Sequence, residues 1–287
     1  MSALRIDIHP HVISPDTNKY PLAPLGGKRS TWSESAHSLT PDQLIAAMDE
    51  AGIDKTALVH SSTTYGFDCS LVADAVAAYP KRITGVCSVD VLAPDAVEKL
   101  RYWLDRGCTG LRLFTTGSTM PGQADWLNDP KTYPTWEYAS EIGLPICIQA
   151  RPEGLGMLRD LMDRFPKVPI ILDHIGRPDL SAGPPYAAAE PILSLAKPYP
   201  QLNIKFTPVA LKYTREGNAT PETFLPKFVE TFGADRIAWG SNFPASSGGL
   251  SNLLKESIAA FSAFLPQGDI DKIFGGTAAR LYPALAN

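Results

Sequence analysis

The stretch Pro169–Gly176, PIILDHIG, is a short and continuous apolar run that ends in polar residues. A similar run, LPICIQA at Leu144–Ala150, precedes it, and a helical pattern at Gly154–Phe165 lies between the two. In a parallel sheet that helices cover, both faces of a strand are buried, so the strands read as unbroken apolar runs. The two runs therefore predict neighbouring parallel strands in an α/β protein.

Outward from this pair, short apolar strands alternate with amphipathic helices along the whole chain. Eight β/α units in this order predict the α/β class and a closed (β/α)8 TIM-like barrel, formed by a single domain over residues 1–287. A helical tail, Asp269–Tyr282, is expected to close the bottom or the side of the barrel. The predicted strands are Leu4–His9, Thr56–His60, Ile83–Val89, Gly110–Phe114, Pro145–Gln149, Ile170–His174, Leu202–Phe206 and Arg236–Gly240. Helices are predicted from Pro41 to Ala51 and at Leu71–Tyr79, Asp95–Arg106, Pro134–Ile142, Gly154–Phe165, Ala187–Leu195, Pro221–Phe232 and Leu250–Phe264.

Two connections are longer than the others. The first βα loop spans Val12–Leu39 and the fourth spans Thr115–Tyr133. Long βα loops of a barrel usually cover the face that carries the active site. Because these loops contain Tyr20, Trp32 and Trp126, we expect ordered lids over that face.

The composition narrows the classes of function. The formal net charge is −4 and the pI is near 5.7, so the chain has no electrostatic footprint for nucleic acid. No stretch approaches the roughly 20 apolar residues that a membrane span requires, and no signal-peptide pattern is visible. A reduced, cytoplasmic protein is therefore expected, and association into a homo-oligomer is left open. The cysteines are scattered without a CxxC pair, at Cys69, Cys87, Cys108 and Cys147.

Polar residues collect at the predicted carboxyl ends of the strands, where TIM barrels place their active sites. His9 and His11 are one residue apart, so both imidazoles can converge on one point, as a metal site or a substrate carbonyl would require. His174 is expected to face inward, which makes Asp173 a structural partner outside the barrel. Arg112 needs a carboxylate, from either the protein or the substrate. The other strand ends carry His60, Ser61, Ser62, Tyr65, Gln149, Arg151, Arg177, Lys205, Ser241 and Asn242.

Of these residues, His60 follows an apolar run. It is equally compatible with a hydrogen-bonded core histidine and with a functional residue.

Five motifs resemble the amidohydrolase superfamily, in particular its branch named after 2-pyrone-4,6-dicarboxylate lactonase. They are DIHPHV from Asp7, LVHSSTTYGFD from Leu58, GLRLF from Gly110, LDHIGRP from Leu172 and RIAWGSNFP from Arg236. The resemblance implies a (β/α)8 barrel that hydrolyses a lactone bearing carboxylate groups. It assigns His9, His11 and His174 to the catalytic centre. It assigns contacts with the substrate's carboxylate and carbonyl groups to Arg112, Arg151, Arg177, Ser62 and Tyr65.

Two positions depart from the family's pattern. Asn242 stands where most members carry an aspartate that acts as the general base, and an amide cannot take a proton from water. It can orient water or a substrate hydroxyl group. Gln149 stands where many members have a lysine or histidine that binds metal, which argues against a binuclear site.

Four hypotheses follow for the function. In the first, His9, His11 and His174 hold one Zn²⁺ that activates water for lactone hydrolysis, with Asn242 beside it. In the second, the same residues hydrolyse the lactone without metal, a histidine acting as the base. The third is a lactone isomerase, with a metal-dependent decarboxylase as a further alternative. The fourth is a barrel that binds an acidic ligand without catalysis.

Overall fold

The eight predicted strands form one parallel sheet that curls into a barrel. A computed structural model describes residues 3–35, 38–117 and 119–286. The strand order is β1-β2-β3-β4-β7-β8-β9-β10, and the Ile8 N–H donates to the Trp239 carbonyl oxygen (3.2 Å) across the seam between β1 and β10. The remaining two strands, β5 and β6, form an antiparallel hairpin. The strands are β1 Ile6–Asp7, β2 Lys55–Val59, β3 Ile83–Cys87, β4 Cys108–Phe114, β5 Thr116–Gly117, β6 Met120–Gln123, β7 Ile146–Gln149, β8 Ile170–Leu172, β9 Leu202–Phe206 and β10 Ile237–Trp239.

Helices surround the sheet, and the predicted barrel is confirmed. None of the helices within the described residues is long and apolar enough to cross a membrane. The helices are α1 Thr31–Ser35, α2 Pro41–Ala51, α3 Ser62–Tyr65, α4 Ser70–Ala78, α5 Ala96–Leu104, α6 Tyr133–Ile142, α7 Leu155–Arg164, α8 Glu190–Leu193, α9 Pro208–Tyr213, α10 Pro221–Phe232, α11 Leu250–Ser262, α12 Gln267–Asp271 and α13 Thr277–Leu281.

Helix α2 shows how the local sequence sets an element's bounds. The Thr40 side chain accepts from the Gln43 N–H, and the Gln43 side chain accepts from the Thr40 N–H, which completes a capping box. Pro41 occupies the first turn, where its missing N–H costs nothing. The helix ends at Gly52, whose φ of 70° suits a residue without a Cβ atom.

Several elements differ from the predicted bounds. β1 has only two residues instead of six, and β8 ends at Leu172 instead of His174. The segment Ala187–Leu195 divides into a 3₁₀ turn and the short helix α8. The short helices α1, α3 and α9 lie in segments that carry no helical periodicity and were not predicted.

The interior of the barrel holds apolar side chains that alternate along the strands, and the tail closes the end opposite the long loops. Residues of α13 and the turn after it pack against this interior cluster, as the sequence predicted. The Tyr282 hydroxyl group lies 3.2 Å from the Cys147 Sγ atom. A Cβ atom on Gly110 would lie 2.9 Å from the Tyr282 ring, so the glycine leaves room for the tail. The cluster contains Ile6, Ile8, Ala57, Val59, Val86, Cys147, Ile171, Ala238, Ala278, Leu281, Tyr282 and Leu285.

Candidate active site

A polar cavity of about 290 Å³ opens at the carboxyl ends of the strands. The sequence predicted the site at this end. Eight of the residues singled out there line it, and they come from six of the eight strand ends. The lining residues are His11, Thr31, Trp32, Ser61, Ser62, Thr63, Arg112, Phe114, Gln149, His174, Arg177, Asn242 and Ala245.

Three histidines meet beside this cavity. The ring centroid of His9 lies 5.0 Å from that of His11 and 4.9 Å from that of His174. The position directly after β10, where a side chain would crowd them, is a glycine. A Cβ atom on Gly240 would lie 2.5 Å from the His9 Cβ atom, so the absence of a side chain there makes space for His9.

Asp173 lies in the same cluster, which corrects the expectation that it faces out of the barrel. Ile171 belongs to the interior cluster, and alternation directs Asp173 to the same side. His174 reaches the cavity by another route, because the strand ends at Leu172 and the backbone then turns with a φ of 53° at His174. The expectation was wrong because strand alternation cannot anticipate a left-handed residue.

Asp173 binds two buried cations. Its Oδ2 atom accepts from Arg112 Nε (2.8 Å), and its Oδ1 atom lies 2.8 Å from Lys205 Nζ. Arg112 also donates to the Gln149 side-chain oxygen. Burial alone would raise the pKa of Asp173, but Lys205 and Arg112 hold that pKa well below its usual range. Arg112 therefore finds its carboxylate within the protein.

The three histidines are neutral at pH 7. Burial, together with the charge of Arg112, lowers the pKa of His11 to about 3. Burial and the neighbouring cations also hold the pKa values of His9 and His174 well below 6.5. The His11 Nδ1–H donates to the Val59 carbonyl oxygen (2.9 Å), so its Nε2 atom carries the lone pair. A neutral imidazole can accept a proton or bind a metal.

The ring nitrogens of His9 indicate whether the site can hold a metal ion. Both of its ring nitrogens are buried and lack a hydrogen-bond partner among the described residues. His9, Asp173 and His174 each offer a ligand atom, and these atoms lie within 4.8 Å of one another. Two neutral imidazoles and a carboxylate are a donor set that suits Zn²⁺, so the residues present fit a single divalent metal. His11 lies outside this group of three, and its predicted role as a ligand stays a prediction.

Arg177 is the cavity's unpaired cation. Among the described residues it forms no salt bridge, and its Nε atom is buried without a hydrogen-bond partner. Burial lowers the pKa of the guanidinium group, with the charges of Arg112 and Arg151 acting in the same direction. Arg177 is half-buried, and a partly desolvated cation without a carboxylate would be stabilised by an anionic ligand.

The other predicted site residues divide into two groups. Ser62 and Asn242 line the cavity, and the Asn242 side-chain amide donates to Ser246 Oγ (3.0 Å). Tyr65 and Arg151 do not line it. The Tyr65 hydroxyl group accepts from the Ser14 N–H, and Arg151 Nε donates to Thr116 Oγ1, so both hold the long loops in place.

His60 is a structural residue in this arrangement. It is buried, and its Nε2–H donates to the Gly66 carbonyl oxygen (2.9 Å) within the same loop. This contact favours the core-histidine interpretation of the two that the sequence left open.

Comparison with known proteins agrees with this architecture. The sequence profile described as "Amidohydrolase" matches residues 6–284. The chain belongs to the amidohydrolase family.

Two proteins that are similar in sequence to this amidohydrolase are named as enzymes that hydrolyse ring esters. A 2-pyrone-4,6-dicarboxylate hydrolase of Comamonas testosteroni is 24% identical over 83% of this chain and 76% of its own length. An L-fucono-1,5-lactonase of Burkholderia ambifaria is 24% identical over 84% of both chains. A solved amidohydrolase structure from Burkholderia multivorans with bound zinc superposes with a TM-score of 0.77 at 19% identity, over 98% of this chain and 99% of that one.

Two residues at the candidate active site do not stand out as site residues in the sequence. Lys205 is only a polar residue at a strand end there, although its position on β9 shares the inward register of the interior cluster and its ammonium group binds Asp173. Trp32 stacks on His11, with 5.4 Å between ring centroids. Loop Val12–Leu39 brings it there, and no local pattern identifies which loop aromatic covers the site.

Proposed function

We propose that this amidohydrolase opens a lactone that carries a carboxylate group, by attack of water on the ring carbonyl. The observation that carries the proposal is the half-buried Arg177, which forms no salt bridge among the described residues and lines the same cavity as a cluster of neutral histidines. The names of the two relatives, both of them lactone hydrolases, support the reaction type.

The charge balance of the cavity supports an anionic substrate. Arg112 and Lys205 bring two positive charges, and the Asp173 carboxylate offsets one of them. Arg177 adds a further positive charge, so the charged side chains of the site have a net positive charge. The histidines are neutral, and Asn242 contributes no charge at the position where the family resemblance predicts a carboxylate. A substrate carboxylate at Arg177 would form a charge-assisted hydrogen bond and hold the ring in place.

The roles of the individual residues follow from their chemistry. His9, His174 and Asp173 would hold the metal, with His11 beside them. When bound, such a metal supplies Lewis-acid polarisation of the carbonyl group and of water. Ser62 and Asn242 offer hydroxyl and amide groups that orient the substrate and the attacking water.

Hydrolysis without metal uses the same residues. The Nε2 lone pair of His11 can accept the proton of the attacking water, and the cations stabilise negative charge on the carbonyl oxygen. Tyr65 and Arg151, which we predicted as contacts of the substrate, act in this proposal through the loops that they fix. The free, buried thiols of all four cysteines support a reducing, cytoplasmic setting.

The test is hydrolysis of paired lactones that differ only in a ring carboxylate. We expect Arg177→Met to lower kcat/KM for the carboxylated lactone by about 10- to 100-fold, because a hydrogen bond to a charged group contributes about 1.5–3 kcal/mol. The neutral lactone should be affected much less. The matched control is Arg215→Met, which removes an exposed arginine shortly after the end of α9.

Equal losses on both lactones would remove the carboxylate role of Arg177. Elemental analysis and assays before and after chelation separate the two mechanisms, since loss of activity that zinc restores requires the metal. A product that remains a lactone would identify an isomerase, and carbon dioxide release would identify a decarboxylase. Binding without turnover of any of these compounds would leave only an acidic-ligand-binding barrel.

A further inference from the structure

A second cavity, of about 260 Å³, opens beside the polar cavity at the same end of the barrel. We refer to it as the annex. The two cavities share three lining residues, Ser62, Arg112 and Phe114. A molecule bound in the polar cavity can therefore extend past Arg112 into the annex.

The annex differs from the polar cavity in its chemistry. Its walls come from the first four βα loops and from the end of β4, and most of its side chains are aliphatic, aromatic or thioether groups. Arg112 is its only cationic side chain among the described residues, and that group is already bound to Asp173. The apolar wall is formed chiefly by Leu25, Phe67, Val91, Leu92, Met120 and Trp126.

The polar groups of the annex are engaged within the protein. Ser62 Oγ donates to Ser88 Oγ (3.1 Å), and Ser88 Oγ donates to the Arg112 carbonyl oxygen (3.1 Å). The Asp90 carboxylate accepts from the Leu92 N–H (3.1 Å) within its own turn. Because these groups already have partners, the annex favours a hydrocarbon over a polar ligand.

Backbone contacts hold the walls of the annex in place. The Leu25 N–H donates to the Ser62 carbonyl oxygen and the Ala23 N–H donates to that of Thr64, each at 3.0 Å. The first loop is thereby fixed against α3. The annex is thus preformed, which reduces the ordering cost of filling it.

The volume defines what fits. An apolar cavity of about 150 Å³ accommodates a benzene molecule. The annex therefore has room for one six-membered ring or for an aliphatic chain of about four to six carbons.

We propose that the annex binds an apolar substituent of the substrate, so that the substrate class is a carboxylated lactone with an alkyl or aryl side group. This inference rests on the proposed lactone hydrolysis for its reaction and on the continuity of the two cavities for its geometry. Arg177 selects the carboxylate, and the annex selects the side group.

The first test compares carboxylated lactones that bear a methyl or an n-butyl group, with the substituent placed at each ring carbon in turn. Each buried methylene group is worth about fourfold in binding, so we expect kcat/KM to favour the best butyl isomer at least tenfold. Leu92→Gln should reduce that preference at least fivefold, and Met120→Gln provides a second variant if the first folds poorly. Leu22→Gln makes the same change on an exposed leucine of the first loop and should keep the preference.

The second test measures binding without turnover, by calorimetric titration with acetate, butyrate and hexanoate. Affinity should rise with chain length in the native enzyme and rise less in Leu92→Gln. Equal affinities along the series, or a chain-length dependence that neither annex variant alters, would overturn the inference. If no lactone is hydrolysed but the chain-length dependence holds and the variants reduce it, the proposed reaction fails and the annex remains a binding site for hydrocarbon groups.

Discussion

Asp173 is the residue on which the charges of the site converge. It is fully buried between Arg112 and Lys205, and it also lies 3.9 Å from His9 Nδ1. Burial is the main reason why the histidines are neutral, and the positive charges of Arg112 and Lys205 lower their pKa values further, while the Asp173 carboxylate opposes this change at His11 and His174. The charge of the candidate active site therefore depends in part on a residue that does not itself line the cavity.

Removing one of these cations gives a test at the scale of single residues. We expect Lys205→Met to lower the free energy of unfolding by about 3 kcal/mol, because it breaks a buried ion pair and leaves Asp173 with Arg112 alone. Urea denaturation measures this change.

The matched control is Lys19→Met, which removes an ion pair of nearly the same length, 2.7 Å to Asp74, at an exposed position. Exposed pairs contribute little, so this variant should change the stability far less. Comparable losses in the two variants would contradict the role of burial.

The sequence was sufficient to predict several of the residues that meet at the site, because a TIM barrel gathers the carboxyl ends of its strands at one face. His11, His174, Arg177 and Asn242 line the cavity for this reason. The exact direction of a side chain could not be predicted where the backbone leaves the strand. The positive φ values at His174 and Arg177 bring both residues to the cavity, and their residue types do not predict that backbone conformation.

At the scale of elements, the two long loops contact each other above the site. Gly26 in the first loop has a φ of 86°, and a Cβ atom there would lie 2.6 Å from the Thr119 carbonyl oxygen beside the β5–β6 hairpin. Gly27 has a similar φ of 78° with nothing within 4 Å of its Cβ position. Both glycines thus have a positive φ, but only Gly26 lacks the space for a Cβ atom.

This difference predicts different outcomes for two alanine variants. Both Gly26→Ala and Gly27→Ala introduce left-handed strain of about 1–2 kcal/mol, which thermal unfolding should report. Only Gly26→Ala forces the loops apart, so we expect its KM for a lactone substrate to rise several-fold while that of Gly27→Ala stays within about twofold. Similar KM values for the two variants would show that contact between the loops does not shape the site.

The order of the elements was predictable because the apolar runs repeat at regular intervals. The loops were predictable in position but not in form. Thr116 of the hairpin Thr116–Gln123 accepts a hydrogen bond from Arg151, and Trp32 of the helix Thr31–Ser35 stacks on His11. Such contacts with distant parts of the chain carry no local signal.

At the scale of the whole molecule, buried neutral histidines couple stability to pH. Burial lowers the pKa of His60 to about 4, whereas an unfolded histidine titrates near 6.5. The hydrogen bond to Gly66 and the charge of Asp68 oppose this lowering of the pKa, and the charge of Arg112 adds to it. Unfolding therefore takes up a proton between about pH 4 and pH 6.5. The contribution of His60 to the free energy of unfolding is complete above this range, falls as the pH falls through it, and amounts to about 3 kcal/mol.

The variant His60→Gln isolates this contribution. Glutamine can donate to the Gly66 carbonyl oxygen as histidine does, but it does not titrate. Stability measured from pH 7 to pH 4 should fall less steeply in the variant than in the native protein. Parallel curves would mean that His60 is not held neutral by the fold.

The floor of the barrel has a consequence for how the protein is made. All eight barrel strands lie before residue 240, but the interior cluster also needs Ala278, Leu281, Tyr282 and Leu285. During synthesis, a nascent chain that has emerged only to residue 270 can pair every strand and still expose the apolar underside of its barrel. The docking of α13 therefore has to follow the pairing of the strands, and until it takes place the nascent chain presents an apolar surface at this end of the barrel.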